Sequence, residues 1–127
     1  MRAYFDSDIV IWHLRDEKKA SDLLRKVSND PELELWMGAM QRAEIVFHIK
    51  SGEEKLVFHA LSRFKTQSVT QEIVDKGGEL YRQWSPSHGI DINDAILAAT
   101  VDITGGQIYT LNTRHFPMPH VVSVKGW

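Results

Sequence analysis

The stretch Arg2 to Phe5, apolar after its arginine, leads straight into Asp6-Ser7-Asp8. Ile9, Val10, Ile11, Trp12 and Leu14 follow, which predicts a short strand handing over to a helix, with the carboxylates at the turn. Ala20, Leu23, Leu24 and Val27 recur at helical spacing and predict a helix over residues 16–27. Asn29-Asp30-Pro31 stops it before a second strand near 33–37. Residues 39–49 and 53–64 read as a helical hairpin joined at Ser51-Gly52, and Ser68-Val69 as a brief extended piece. A helix is expected from 71 to 84, broken by the segment 86–89 with its proline and glycine. Residues 91–104 form a helical pattern rich in small side chains, among them Ala95, Ala98 and Ala99, which suits a helix packed closely on a sheet and buried on most sides. Gly105-Gly106 ends that helix, residues 107–111 predict a strand, and 121–124 a last strand at an edge. Strands alternating with helices predict an α/β sandwich with a mostly parallel sheet.

Neither a repeat nor a linker interrupts this pattern, and 127 residues suffice to close one core, so residues 1–127 are expected to form a single domain. With 43% hydrophobic and 25% charged residues the chain falls in neither the disordered nor the membrane class. The longest nearly uncharged apolar stretch, 95–101, is far below the ~20 residues of a bilayer span, so neither a signal peptide nor an anchor is expected. The absence of cysteine excludes disulfides and thiolate zinc sites, as suits a reducing cytoplasm. A net charge of -2 argues against a broad basic footprint for nucleic acid. A nuclease can nevertheless hold phosphate with bound cations and a few local groups, here Arg15, Lys18, Lys19, Lys50 and Arg114.

Ligands of such sheets collect beyond the carboxyl ends of the strands, where Asp6 and Asn112 are expected. The amino end of the helix that begins near Asp94 can point into the same crevice. Glu44 sits among Ala43, Ile45, Val46 and Phe47, and an ionised carboxylate among apolar groups is costly unless a cation meets it. Converging carboxylates without a Cys or His set are the signature of Mg²⁺ or Mn²⁺, which can activate water and stabilise charge on a scissile phosphate. Each residue also has a simpler account. Asp6 suits a helix cap; Asp91 and Asp94, three apart, suit a cap and a first-turn acid; Glu44 suits a pair with Arg42 or Lys50; Asn112 suits a turn. Trp12, Phe47 and Phe58, at helical spacing, are expected in the core rather than at a partner surface.

Four segments together carry a stronger signal: 4–12 (YFDSDIVIW), 42–45 (RAEI), 91–100 (DINDAILAAT) and 110–116 (TLNTRHF). In order and spacing they resemble the signature segments of VapC-like PIN domains, and the resemblance spans essentially the whole chain. It implies a PIN-like three-layer sandwich and a metal-dependent endoribonuclease. Such a protein is the toxin of a VapBC-like pair, a homodimer silenced by a small antitoxin in a heterotetramer or larger assembly. By position, Asp6, Glu44 and Asp94 match the family's metal-binding acids and Asn112 its fourth catalytic position, with Mg²⁺ or Mn²⁺ as cofactor. Ser7, Asp8, Asp91, Thr110, Arg114 and His115 would stand behind them, orienting the acids or touching phosphate. Two positions depart from the pattern: Asp8 stands where Asn is frequent, and His115 where many relatives carry Asp before the Phe. Asp8 adds negative charge, whereas Asn112 and His115 leave their corner less acidic, and a firmly held second ion is less expected. A loop residue packing beside Phe116 and Pro117 is the simpler account of His115.

Two other functions fit parts of the pattern. In a haloacid dehalogenase-like phosphatase, Asp6 would be the nucleophile and Asp8 the acid. The polar 83–88 stretch is a poor strand for that family's late acidic motif, however, and the 107–112 segment would go unexplained. A non-catalytic interaction protein on a PIN scaffold is the other, against which the retained Asp6, Glu44 and Asp94 argue.

Overall fold

The computed structural model describes residues 1–127. Five strands form one sheet: β1 (Arg2–Phe5), β2 (Glu34–Gly38), β3 (Lys65–Gln67), β4 (Gln107–Thr110) and β5 (Ser123–Lys125). Their order is β3-β2-β1-β4-β5, and every neighbouring pair is parallel. Six helices cover the sheet: α1 (Ser7–Leu14), α2 (Lys18–Asn29), α3 (Ala39–Val46), α4 (Glu54–Leu61), α5 (Gln71–His88) and α6 (Ile92–Thr104).

The strand alternation sorts the core into two layers. Ala3 and Phe5 of β1 and Tyr109 of β4 join Ile9, Val10, Leu24, Ile45 and Leu61 beneath α1 to α4. Tyr4 and Ile108 face the other way and pack with Ile73, Leu97, Ala98 and Phe116 beneath α5 and α6. With both faces covered, β1 and β4 are each buried over their last three residues, as central parallel strands are. Small side chains bring α5 and α6 together: a Cβ on Gly77 would lie 3.5 Å from Ala95 O and Ile96 Cα. The chain leaves β1 toward β2 and β3 and later returns to lay β4 along the other side of β1. Connections therefore diverge at the carboxyl end of β1, which opens a crevice there.

Several expected boundaries move, each for a local reason. Asp16 takes a positive φ of 62°, so the second helix begins at Lys18 rather than at residue 16. The hairpin α3–α4 forms, but α3 stops at Val46, where His48 and Ile49 bond back three residues to Ile45 and Val46. The extended piece expected at Ser68-Val69 lies earlier, at Lys65–Gln67. That edge strand is largely exposed and polar and has no alternation to read. Pro86 does not break α5. So near the carboxyl end it forfeits one hydrogen bond, and the helix continues to His88 before Gly89 ends it at φ 61°. Trp12, Phe47 and Phe58, expected in the core, are 42%, 83% and 44% exposed. Each helix buries a narrower face than its apolar count suggests, and the guanidinium groups of Arg15 and Arg42 lie 5.7 and 5.9 Å from the Trp12 and Phe58 rings.

Candidate metal centre

Asp6 leaves β1 in extended geometry and caps α1, accepting from the Ser7 N–H at 2.9 Å through Oδ1. Its Oδ2 accepts from the Thr110 hydroxyl at 2.9 Å. Thr110 ends β4 fully buried, and its Oγ1 also accepts from the Asn112 N–H at 3.1 Å. The second acid of the turn is held more completely. Asp8 accepts from Ile9 N–H at 2.7 Å through Oδ1 and from Leu111 N–H at 3.1 Å through Oδ2, which also stands 3.3 Å from Thr110 Oγ1, whose one proton goes to the nearer Asp6. With both oxygens engaged, Asp8 ties the amino end of α1 to the end of β4.

Asp91 and Asp94 form a reciprocal box at the start of α6. Asp91 Oδ1 accepts from Asp94 N–H at 2.8 Å, and Asp94 Oδ2 from Asp91 N–H at 3.2 Å. The capping accounts of Asp6 and Asp94 are therefore correct and leave room for a further role, because the box leaves the other oxygen of Asp94 without a hydrogen bond. His115 departs from its simpler account. Its Nδ1 lies 3.1 Å from Asp94 Oδ2, and its Nε2 lies 3.2 Å from Asn112 Nδ2.

Glu44 lies half-buried on α3, and neither Arg42 nor Lys50 pairs with it. It borders a groove of about 530 Å³ lined by Ile11, Leu14, Ile45, Ile49 and Val57, with Arg15, His48 and Lys50 and the acidic Glu53 at its other polar positions. Arg15 and Lys50 are thus placed beside an acid of the site. His48, whose Nδ1 lies 2.8 Å from Glu44 O, gave no signal in the sequence beyond standing one turn from Glu44. Lys18 pairs with Asp22 instead, and Arg114 is exposed on the turn Thr113–His115.

Burial and mutual repulsion keep these acids from ionising easily. Burial, with the neighbouring Asp8 charge, pushes the Asp6 carboxyl from 3.8 up to about 7, against the hydrogen bonds from Thr110 and Ser7. Asp94 is pushed up to about 6, mainly by burial. Burial also raises Asp8 and Glu44, and Glu44 feels the charges of Asp91, Asp94 and Asp8. No lysine or arginine forms an ion pair with any of these four.

Oxygen donors in a partly buried, uncompensated anionic crevice fit a hard divalent cation. No three acidic or histidine side chains stand close enough to hold one ion jointly. Mg²⁺ keeps several waters and takes one or two carboxylates directly, so the remaining acids would reach it only through water.

The PIN domain family profile matches residues 3–118. The chain belongs to the PIN-domain family. It is 34% identical over 114 residues to ribonuclease VapC10 of Mycobacterium tuberculosis, covering 89% of this chain and 84% of that protein. It is likewise 34% identical over 114 residues to ribonuclease VapC19 of the same organism, covering 89% and 90%. The PIN fold also superposes on a toxin-antitoxin complex from Klebsiella pneumoniae, with a TM-score of 0.79, 24% identity and 98% of both chains covered. VapBC2 from Rickettsia felis, solved bound to a DNA fragment from its promoter, superposes with a TM-score of 0.79 at 18% identity, covering 100% and 99%. Membership of the PIN family sets aside the phosphatase alternative, and α5, a helix, occupies the place where that alternative required a strand. No helix of the protein is long and apolar enough to cross a membrane.

Proposed function

We propose that this PIN-domain protein is an endoribonuclease dependent on Mg²⁺ or Mn²⁺. In this reading it is the toxin of a VapBC-like pair, acting in the cytoplasm as a homodimeric single-domain protein and silenced by a cognate antitoxin. The observation that carries the reading is the crevice at the end of β1 and β4. There Asp6, Glu44 and Asp94 gather with their ionisation suppressed and no lysine or arginine paired with them, His115 alone standing beside Asp94. The 34% identity to two ribonucleases over 89% of the chain supplies the reaction class.

Asp6, Glu44 and Asp94 would hold the cation directly or through water, and Asn112 would face the reacting phosphate from the end of β4. A bound divalent cation would supply a hydroxide at neutral pH and neutralise charge on the scissile phosphate. The Thr110 hydroxyl and Ser7 N–H fix the Asp6 carboxylate before substrate arrives, so little reorganisation is left for the reaction. Arg15, His48 and Lys50, in the groove that reaches Glu44, would meet flanking phosphates.

The decisive experiment is incubation of total cellular RNA with purified protein, free of antitoxin, in Mg²⁺, in Mn²⁺ and in chelator, beside the Asp94→Asn variant. Discrete fragments that require metal and are lost in Asp94→Asn are expected, with folding and antitoxin binding retained because the Asn side-chain oxygen can still accept from the Asp91 N–H. RNA left intact by the wild type in both metals, or cut equally by the variant, refutes the assignment.

A further inference from the structure

The two oxygens of Asp94 are treated differently. Oδ2 accepts from the Asp91 N–H at 3.2 Å and stands 3.1 Å from His115 Nδ1, whereas Oδ1 takes part in no hydrogen bond. On the far side of the imidazole, Nε2 lies 3.2 Å from Asn112 Nδ2. An amide nitrogen has only protons to give, so Nε2 accepts, and a neutral ring then carries its single proton on Nδ1, facing Asp94. Asn112 is itself anchored. Its N–H donates to Thr110 Oγ1, the hydroxyl that donates to Asp6, and its carbonyl accepts from His115 N–H at 3.1 Å, which folds the turn back over it. The imidazole thus links the turn after β4 to the amino end of α6.

We infer that His115 is a positioning residue: the line Asn112–His115–Asp94 holds Asp94 by Oδ2 and reserves Oδ1 for a cation in the crevice. This rests on the reading of Asp94 as a cation ligand. Asp94 is only 14% exposed, so a carboxylate free to turn would bury its one open oxygen against α6 in part of the population. Donors behind a ligating carboxylate remove that freedom.

Three substitutions separate this role from simple packing. His115→Asn keeps an amide N–H at the place of Nδ1, His115→Gln moves it to the place of Nε2, and His115→Ala removes both. Calorimetric titration with Mn²⁺ alone is expected to find binding weakened roughly 10- to 100-fold in His115→Gln and His115→Ala, with His115→Asn close to wild type. Thermal unfolding in chelator establishes that all three variants are folded. Equal Mn²⁺ affinity in all four proteins overturns the proposal, as does a loss in His115→Asn as large as in His115→Ala. A second readout needs no metal. ¹⁵N NMR of the metal-free protein at about pH 8, where an ordinary imidazole is neutral, is expected to find the Nδ1–H tautomer of His115. The Nε2–H tautomer overturns the proposal. If wild type binds no Mn²⁺ while His115 carries the proton on Nδ1, the nuclease reading falls and the hold of His115 on Asp94 stands.

Discussion

Replacing Asp6 with Asn should make the metal-free protein more stable at neutral pH, although it removes the residue most central to the site. Asn keeps an oxygen for the Ser7 N–H, and its amide can donate to Thr110 Oγ1 while that hydroxyl turns its proton to Asp8, 3.3 Å away. What is lost is a charge that burial and Asp8 disfavour. The Asp6 carboxyl rises from 3.8 when unfolded to about 7 when folded. Below the unfolded value both states are protonated and no penalty exists; as pH rises the unfolded chain ionises first, and stability is lost until the folded group ionises too. At about 1.36 kcal/mol per unit, the penalty gained between about pH 5 and the folded pKa is about 3 kcal/mol. Asp6 retains some contact with water, and screening reduces this to about 1–2 kcal/mol. Urea unfolding in chelator at about pH 5 and pH 8 measures the difference, and comparing wild type with Asp6→Asn cancels the groups that do not interact with Asp6. The variant should gain about 1–2 kcal/mol on wild type over that interval, and Mg²⁺ should restore wild type alone. Parallel pH profiles in chelator would refute the argument that Asp6 stores this repulsion.

Cation affinity should fall with acidity, because the carboxyls must lose protons to bind. Mn²⁺ titrations are expected to weaken as pH drops through about 7 and about 6, where Asp6 and Asp94 regain protons, and an affinity flat across that range contradicts the assignment. Thr110→Val removes the hydroxyl that stabilises the Asp6 carboxylate and orphans the Asn112 N–H, a loss of about 1–3 kcal/mol in urea unfolding. It should also move the pH at which Mn²⁺ binds upward, an effect that Thr110→Ser should not reproduce. Gly106→Ala should destabilise the fold by more than about 2 kcal/mol, since φ is 101° and the added Cβ would clash with the Arg2 backbone oxygen. A melting temperature equal to wild type would show that the β4 entry turn can relax.

Much of this architecture was legible because it depends on interactions within a turn or two of chain. The period of apolar residues separates strand from helix, Asp6 and Asp91 announce helix starts, the alanines of α6 permit close packing, and Gly105-Gly106 ends that helix. The order of the four acidic and polar segments then pointed to the crevice and to the family. The structure alone decided which carboxylate oxygens are engaged and which one stays open. Asp6 and Thr110 are 104 residues apart, and Asp8 reaches Leu111 across a similar gap, so the sequence carries no sign that Asp8 is fully engaged while Asp94 keeps an oxygen open. The exposure of Trp12, Phe47 and Phe58, the unpaired state of Glu44 and the approach of His115 to Asp94 belong to the same class. Spacing along the chain encodes which groups a helix or turn presents, but desolvation and pairing are set by whatever the other elements bring alongside. Only folding determines those neighbours.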